Sequence, residues 1–143
     1  MKKWENRTRK NRKWKKESGL LGVSGVSADN RDVIYQAEEG NKMARLAMTE
    51  YCYNIAGFIA KYAAAMNGVD VIAFAGGVGE RGIDERKEIC SYLGFMGVEL
   101  DEEKNAVKAV ETQISKDSSK VKVWIVPTEE ELMIARETVE LIK

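Results

Sequence analysis

A nearly continuous apolar segment followed by three glycines is the feature that most restricts how this chain can fold. The segment VDVIAFA covers residues 69–75, and Gly76, Gly77 and Gly79 follow it within four positions. A continuous apolar run of this kind is typical of an inner strand in a sheet that is covered on both faces. Glycine permits positive φ angles and leaves no Cβ between the backbone and an approaching ligand. The segment therefore predicts a buried strand that turns abruptly into a helix.

The glycine turn allows two interpretations that the residues alone do not separate. The carboxyl end of a strand in an open α/β sheet is a common ligand site, and the amides at the start of the following helix favour anions. Alternatively, the glycines serve only a tight strand-to-helix turn and its packing. The P-loop pattern G-x-x-x-x-G-K-[ST] does not occur in the sequence. A dinucleotide fingerprint fits residues 77–82 only in its letters, because no following βαβ unit offers an acidic ribose partner at the expected distance.

The rest of the chain alternates between helical and extended patterns. The predicted elements are a loop and short strand within 18–33 that lead to a helix, helices over 37–68 and 84–97, a partly helical segment over 101–112, a strand over 119–127 and a helix over 128–143. Ser27 or Asp29 can cap the helix that follows the first segment, and Gly68 suits the end of the long one. Thr128 and Glu131 have the spacing of a capping box. Long crossovers between strands predict an α/β fold with a largely parallel sheet.

Two helical segments show a clear apolar period. The long one repeats apolar residues at three and four positions, which predicts one buried face formed by Met48, Tyr51, Cys52, Ile55, Ile59, Tyr62 and Met66. In the last helix the shared face consists of Leu132, Ala135, Val139 and Ile142.

Composition narrows the class of protein. Basic and acidic residues number 23 each, so the net charge is zero and no overall field recruits nucleic acid or a membrane. No apolar run approaches the length of a spanning helix, and no apolar core follows the first charges as in a secretory signal. Cys52 and Cys90 lie far apart among apolar residues, which indicates two buried thiols in a reduced, cytoplasmic protein. The sequence has no histidine, so no zinc constellation and no imidazole base can come from it.

Charge is uneven at the start of the chain. Residues 1–17 hold nine Lys or Arg, two Glu and two Trp. Such a segment can bind RNA or anionic lipid. A basic, disordered extension without a partner is the favoured interpretation, since termini often stay loose and this one has no apolar period.

Four blocks in order carry a resemblance to a known family. The blocks are SGLLGVSGVSADNRDV, AEEGNKMARLAM, DVIAFAGGVGE and VPTEEELMIARETVELI. Together they resemble the C-terminal third of the acetate/propionate kinase family, from about Ser18 to the end of the chain. The resemblance implies a ribonuclease-H-like lobe of the actin, Hsc70 and sugar-kinase superfamily, with residues 18–143 as a largely incomplete C-terminal nucleotide-binding lobe.

The resemblance also implies which residues meet the ligands. It assigns ATP or ADP binding to the glycine-turn residues Gly77, Val78, Gly79, Glu80 and Arg81, and to Asp29, Asn30 and Arg31. It assigns Mg²⁺ to Glu130. From the residues alone, Arg31 equally suits a surface ion pair with Asp29 or Asp32, and Glu130 equally suits the first turn of a helix, where the dipole favours acids.

The implied reaction is ATP plus acetate giving ADP and acetyl phosphate. The family's carboxylate-binding residues belong to the upstream two-thirds of its length, so the expected state of this chain alone is inactive. The expected partners are nucleotide, a complementary N-terminal lobe that brings the carboxylate substrate, or a second copy docked through the helix around residues 42–66. An alternative function is a non-catalytic nucleotide-binding or assembly module.

Overall fold

The computed structural model of the chain describes residues 17–142. It forms two compact units, of which one ends at Phe58 and the other begins at Ile59. The helices are α1 (Gly19–Ser24), α2 (Asn30–Glu38), α3 (Lys42–Ala65), α4 (Gly76–Arg81), α5 (Ile83–Ser91), α6 (Glu102–Asn105) and α7 (Glu130–Leu141), and the strands are β1 (Val71–Phe74), β2 (Thr112–Gln113) and β3 (Lys122–Ile125). The predicted basic extension lies outside the described residues except for Glu17, and it stays a prediction.

In the first unit, Gly19–Ser24 form a helix where a loop and short strand were expected. Gly25, at φ 67°, ends α1, and its amide donates to the Leu21 carbonyl at 2.9 Å. The left-handed conformation of Gly25 ends a helical turn formed by this short apolar run. The period of the run alone does not distinguish a helix from a strand. Of the two predicted caps, Asp29 is the one used: its carboxylate accepts from the Arg31 amide at the start of α2.

Small side chains form the core of the first unit. The buried cluster consists of Val33, Ala37, Ala44, Ala47 and Met48, and Leu20, Val23, Val26, Ile34 and Tyr51 pack against it. The buried residues of α3 are Ala44, Ala47, Met48, Cys52, Ala56 and Ala63. The predicted α3 face is therefore wrong at Tyr62 and Met66, which are 62% and 65% exposed. Alanine adds little to an apolar pattern, yet it is the residue that α3 buries most often.

The second unit contains a mixed sheet of three strands in the order β1-β3-β2. β1 and β3 are parallel, with Val71 opposite Lys122, whereas β2 runs antiparallel to β3. The expectation of a largely parallel sheet thus holds for one of the two pairings. The predicted inner position of the first strand is wrong for the described residues, because β1 lies at the edge and Val71 is 54% exposed.

Alternating residues of the strands form the core of the second unit. Ile72 and Phe74 of β1 and Val123 and Ile125 of β3 are buried, as the period of the second strand predicted. The segment between the strands contributes further buried side chains, which are Ile89, Cys90, Leu93, Val98, Ile114 and Val121. Both cysteines of the chain are buried thiols, as expected.

The helices of the second unit end differently from the prediction in two places. α5 ends at Ser91, and a separate 3₁₀ turn, Gly94–Met96, follows before Gly97 at φ 88°. No side chain caps α7, whose first flanking residue is Glu129, so the predicted capping box of Thr128 and Glu131 is wrong. No residue of α7 is buried, and within residues 17–142 no helix combines the length and apolarity needed to cross a membrane.

Candidate functional site

The glycines in the turn after β1 have different structural roles. Gly76 begins α4 at φ 70°, a left-handed conformation that L-residues with a Cβ rarely adopt. A Cβ on Gly79 would stand 3.1 Å from the Phe74 carbonyl carbon, and one on Gly82 would stand 2.6 Å from the Val78 carbonyl oxygen. These three glycines are required by the backbone and its packing. The packing interpretation of the turn is therefore correct for part of it.

Neither the backbone conformation nor the packing of this turn requires Gly77 to be a glycine. Its φ lies outside the left-handed region, and a Cβ built on it meets nothing within 4 Å. The residue is exposed and lines a cleft in the second unit. A bare backbone that faces open space is what close approach of a ligand needs. Among the four glycines of this turn, Gly77 is thus the one whose identity the fold does not explain.

The Glu80 carboxylate joins this turn to the segment before α7. Its Oε1 accepts from the Gly76 amide, the Thr128 amide and the Thr128 hydroxyl, each at 2.9 Å. Glu80 is only 9% exposed. The hydrogen bonds from the Thr128 amide and hydroxyl, followed by that from Gly76, lower the pKa of Glu80, because donors stabilise the ionised form more than burial disfavours it. The carboxylate is therefore charged at neutral pH and holds two chain segments 48 residues apart.

Arg86 holds the same turn from the other side. Its side chain is completely buried in α5, and Nη1 donates to the Gly79 carbonyl at 2.9 Å. Nε donates to Asn105 Oδ1 at 2.8 Å, and Nη2 donates to the carbonyls of Asn105 and Val107. Burial lowers the pKa of the guanidinium below its ordinary range, since desolvation disfavours the charged form. The rigid fork of arginine suits four acceptors that converge from two segments, α4 and residues 105–107.

The carboxyl ends of β1 and β3 meet at one edge of the sheet, and the cleft lies there. It has a volume of about 560 Å³. Its lining consists of Gly76, Gly77, Glu80, Thr128, Glu129, Glu130, Glu131 and Leu132. Four of these residues are acidic and none is basic, so an anion would meet repulsion here unless a cation came with it.

The structure brings together three of the residues expected in the site and separates others. Gly77, Glu80 and Glu130 line the cleft, whereas Val78, Gly79 and Arg81 lie in α4 without lining it. Sequence reasoning missed Gly76 and Thr128 as site residues. The signal was available in the prediction of parallel strands, because residues that directly follow two neighbouring parallel strands meet at the same edge.

Asp29, Asn30 and Arg31 lie in the first unit, at the start of α2. Arg31 forms a bidentate pair with Asp29, from Nε to Oδ1 at 3.1 Å and from Nη2 to Oδ2 at 2.7 Å. The Arg31 hydrogen bond lowers the pKa of Asp29 to about 2. The Arg31 side chain is 88% exposed, so the surface ion pair considered for it is present. Asn30 Oδ1 is a buried oxygen with no hydrogen-bond partner in the described part of the chain.

Residues 17–142 contain no group of three or more His, Cys, Asp or Glu side chains arranged to hold a metal ion. Glu130 is exposed at the first position of α7, as the helix-dipole interpretation also expected. Mg²⁺ is commonly held by one or two carboxylates together with water and phosphate oxygens. Its binding at Glu130 thus requires a phosphate ligand rather than a closed protein cage.

Solved structures of small-molecule kinases share this fold. An acetate kinase from Porphyromonas gingivalis matches with a TM-score of 0.78 and 48% identity over 89% of this chain and 32% of that protein. A propionate kinase from Francisella tularensis subsp. tularensis SCHU S4 matches with a TM-score of 0.80 and 37% identity, over 91% of this chain and 33% of that one. The fold is therefore an α/β arrangement found within acetate and propionate kinases.

Sequence comparison gives the family. The sequence profile of the Acetokinase family matches residues 6–136, and the chain belongs to that family. The acetate kinase of Treponema denticola is 53% identical over 128 residues, which are 90% of this chain and 32% of that protein. The chain thus spans about a third of the length of the curated relatives it matches. The match begins within the segment predicted to be a basic extension.

Proposed function

We propose that this chain is the nucleotide-binding part of an ATP-dependent carboxylate phosphotransferase of the acetate kinase type. The reaction would convert ATP and acetate to ADP and acetyl phosphate. One observation carries the proposal: Gly77, an exposed glycine that the fold does not require, shares a cleft with Glu130 in a member of the Acetokinase family. The same proposal includes the fold superfamily: we propose a ribonuclease-H-like C-terminal lobe of the actin, Hsc70 and sugar-kinase superfamily.

ATP or ADP would lie against the backbone of α4. We assign its adenosine to the main chain of Gly77, Val78, Gly79, Glu80 and Arg81, where the missing Cβ of Gly77 permits van der Waals contact. The family resemblance also assigns Asp29, Asn30 and Arg31 to the nucleotide, and this assignment rests on the resemblance alone. Arg31 carries its charge on an exposed fork suited to phosphate or ribose oxygens.

The acidic lining of the cleft fits a metal-bound nucleotide better than a free one. Glu80, Glu129, Glu130 and Glu131 would repel the phosphates of ATP by itself. Mg²⁺ supplies charge neutralisation to a transferring phosphoryl group. Glu130 is exposed at the cleft and offers the hard oxygen ligand that this ion prefers. The residues present therefore fit the ion, provided that phosphate oxygens and water complete its coordination.

Catalysis by the chain alone is not part of the proposal. The carboxylate substrate has no assigned residue between 17 and 142, and the matched relatives are about three times as long. A complementary N-terminal lobe would supply the acceptor site, whereas a second copy would give a homodimer without one. The buried thiols are in keeping with a cytoplasmic protein. The alternative is a binding or assembly module without catalysis. Acetyl phosphate formed only after the first two-thirds of a relative is added would favour the kinase.

The site itself is tested by nucleotide binding to Gly77 variants. Gly77→Ala and Gly77→Val place a side chain in space that is open in the fold, so we expect a normal unfolding transition. Titration calorimetry with Mg·ATP should show about tenfold weaker binding for Gly77→Ala and no measurable binding for Gly77→Val.

Gly94 provides the matched control. It also has an ordinary φ and open space at its Cβ position, but it does not line the cleft. Gly94→Ala should bind Mg·ATP with the affinity of the unmodified chain. Equal binding by Gly77→Val and the unmodified chain would exclude the proposed adenosine contact.

A further inference from the structure

One carboxylate oxygen connects the two halves of the candidate site. Glu80 Oε1 accepts all three hydrogen bonds that link Gly76, the first residue of α4, to Thr128, which precedes α7. Gly77 directly follows Gly76, and Glu130 lies two positions after Thr128. The distance between Gly77, the proposed nucleotide contact, and Glu130, the proposed metal ligand, therefore depends on this one oxygen.

Other contacts leave this connection as an adjustable part of the site. Arg86, whose side chain is completely buried, holds the middle of α4 through the Gly79 carbonyl. β3 ends at Ile125, and the Val126 amide still donates to the Phe74 carbonyl at 2.8 Å. Beyond that bond, α7 has no buried residue to fix it against the second unit. Within residues 17–142, the hydrogen bonds from Thr128 to Glu80 are the last ones before α7 begins.

We infer that Glu80 is a positioning residue, which acts through Thr128 to hold Glu130 at the distance from Gly77 that a metal-bound nucleotide needs. This inference rests on the proposed function and narrows it, because it removes the Glu80 side chain from the ligand contacts. Three donors already surround Oε1, and the side chain is 9% exposed. A carboxylate turned to a phosphate would also be repulsive.

The Thr128 hydroxyl gives a selective test. Thr128→Val keeps the shape of the side chain and removes the hydroxyl, which donates to Glu80 at 2.9 Å. In the full chain we expect Mg·ATP to bind about tenfold more weakly to Thr128→Val and to Glu80→Ala, because charge-assisted hydrogen bonds are the strong ones. The double variant should be no weaker than Glu80→Ala alone, since both substitutions break the same connection.

Two conservative variants and one control complete the experiment. Thr128→Ser retains the hydroxyl and should restore binding, and Glu80→Gln retains an acceptor without charge and should fall between Glu80→Ala and the unmodified chain. Thr112→Val makes the matched substitution in β2, outside the cleft, and should bind as the unmodified chain does. Unfolding transitions measured on the same samples separate loss of binding from loss of fold.

The outcomes separate failure of the positioning role of Glu80 from failure of the proposed function. If the unmodified chain does not bind Mg·ATP, the proposed function fails and this inference fails with it. If the unmodified chain binds and Thr128→Val binds equally well, only the positioning role is overturned. Additive losses in the double variant would also overturn it, because they would mean that Glu80 and Thr128 contact the ligand separately.

Discussion

Arg86 offers the sharpest test of how the glycine turn is held. Arg86→Met retains a long side chain and removes every donor. Four hydrogen bonds are lost, to the carbonyls of Gly79, Asn105 and Val107 and to the Asn105 side-chain oxygen. Because Arg86 is completely buried and Asn105 is 2% exposed, water cannot readily replace the missing donors.

The expected cost follows from those acceptors. A buried acceptor left without a donor costs about 1–3 kcal/mol. The sum over four such acceptors overestimates the loss in free energy of unfolding. The variant also removes a buried cation, and the desolvation cost of that cation is then no longer paid. We expect Arg86→Met to lower the free energy of unfolding by about 3–5 kcal/mol, which is a large part of the roughly 5–15 kcal/mol of an ordinary domain.

Urea unfolding followed by circular dichroism measures this difference. Lys87→Met is the control, because Lys87 is the next residue, is exposed and forms a surface ion pair with exposed Glu102. It should change the free energy of unfolding by less than about 0.5 kcal/mol. A cost below about 1 kcal/mol for Arg86→Met would refute the view that this network stabilises the turn.

Three further predictions concern the same unit. Gly79→Ala should destabilise by about 1–3 kcal/mol, because its Cβ would stand 3.1 Å from the Phe74 carbonyl carbon, whereas Gly77→Ala should not destabilise; equal transitions for the two would contradict this. Ile125→Ala should cost about 2–5 kcal/mol in urea unfolding, since Ile125 is completely buried; a cost under about 1 kcal/mol would show that the core is not where the structure has it. Glu80→Gln should lose stability relative to the unmodified chain at pH 7, and that difference should shrink as pH falls below the ordinary carboxyl value of 4.5. The pKa of Glu80 is lowered on folding, so its contribution is complete above that value and is lost as the folded carboxylate becomes protonated. A difference that stays constant down to pH 3 would contradict the assignment.

Much of the fold followed from strong local signals. β3 was predictable because Val121, Val123 and Ile125 alternate with polar or larger residues, and all three are buried. The helical character of residues 42–65 followed from a long apolar period. The phase of that helix was not predictable from apolar weight, because its buried face consists largely of alanines, whereas Tyr53, Phe58 and Tyr62 are exposed.

Tertiary contacts explain what the sequence left open. β2 is only two residues long and exists through its pairing with β3, so no local pattern marks it. Thr128 has the spacing of a helix cap, but its hydroxyl is used by Glu80, 48 residues earlier. The role of Gly77 was visible only when the packing roles of its neighbours could be separated from it.

The most direct test of the whole account is a structure of the chain determined with Mg²⁺ and ATP. The account predicts the nucleotide against the backbone of Gly77, with Mg²⁺ about 2.0–2.1 Å from a Glu130 oxygen and from phosphate oxygens. A nucleotide bound elsewhere on the chain, or a metal with no contact to Glu130, would contradict it.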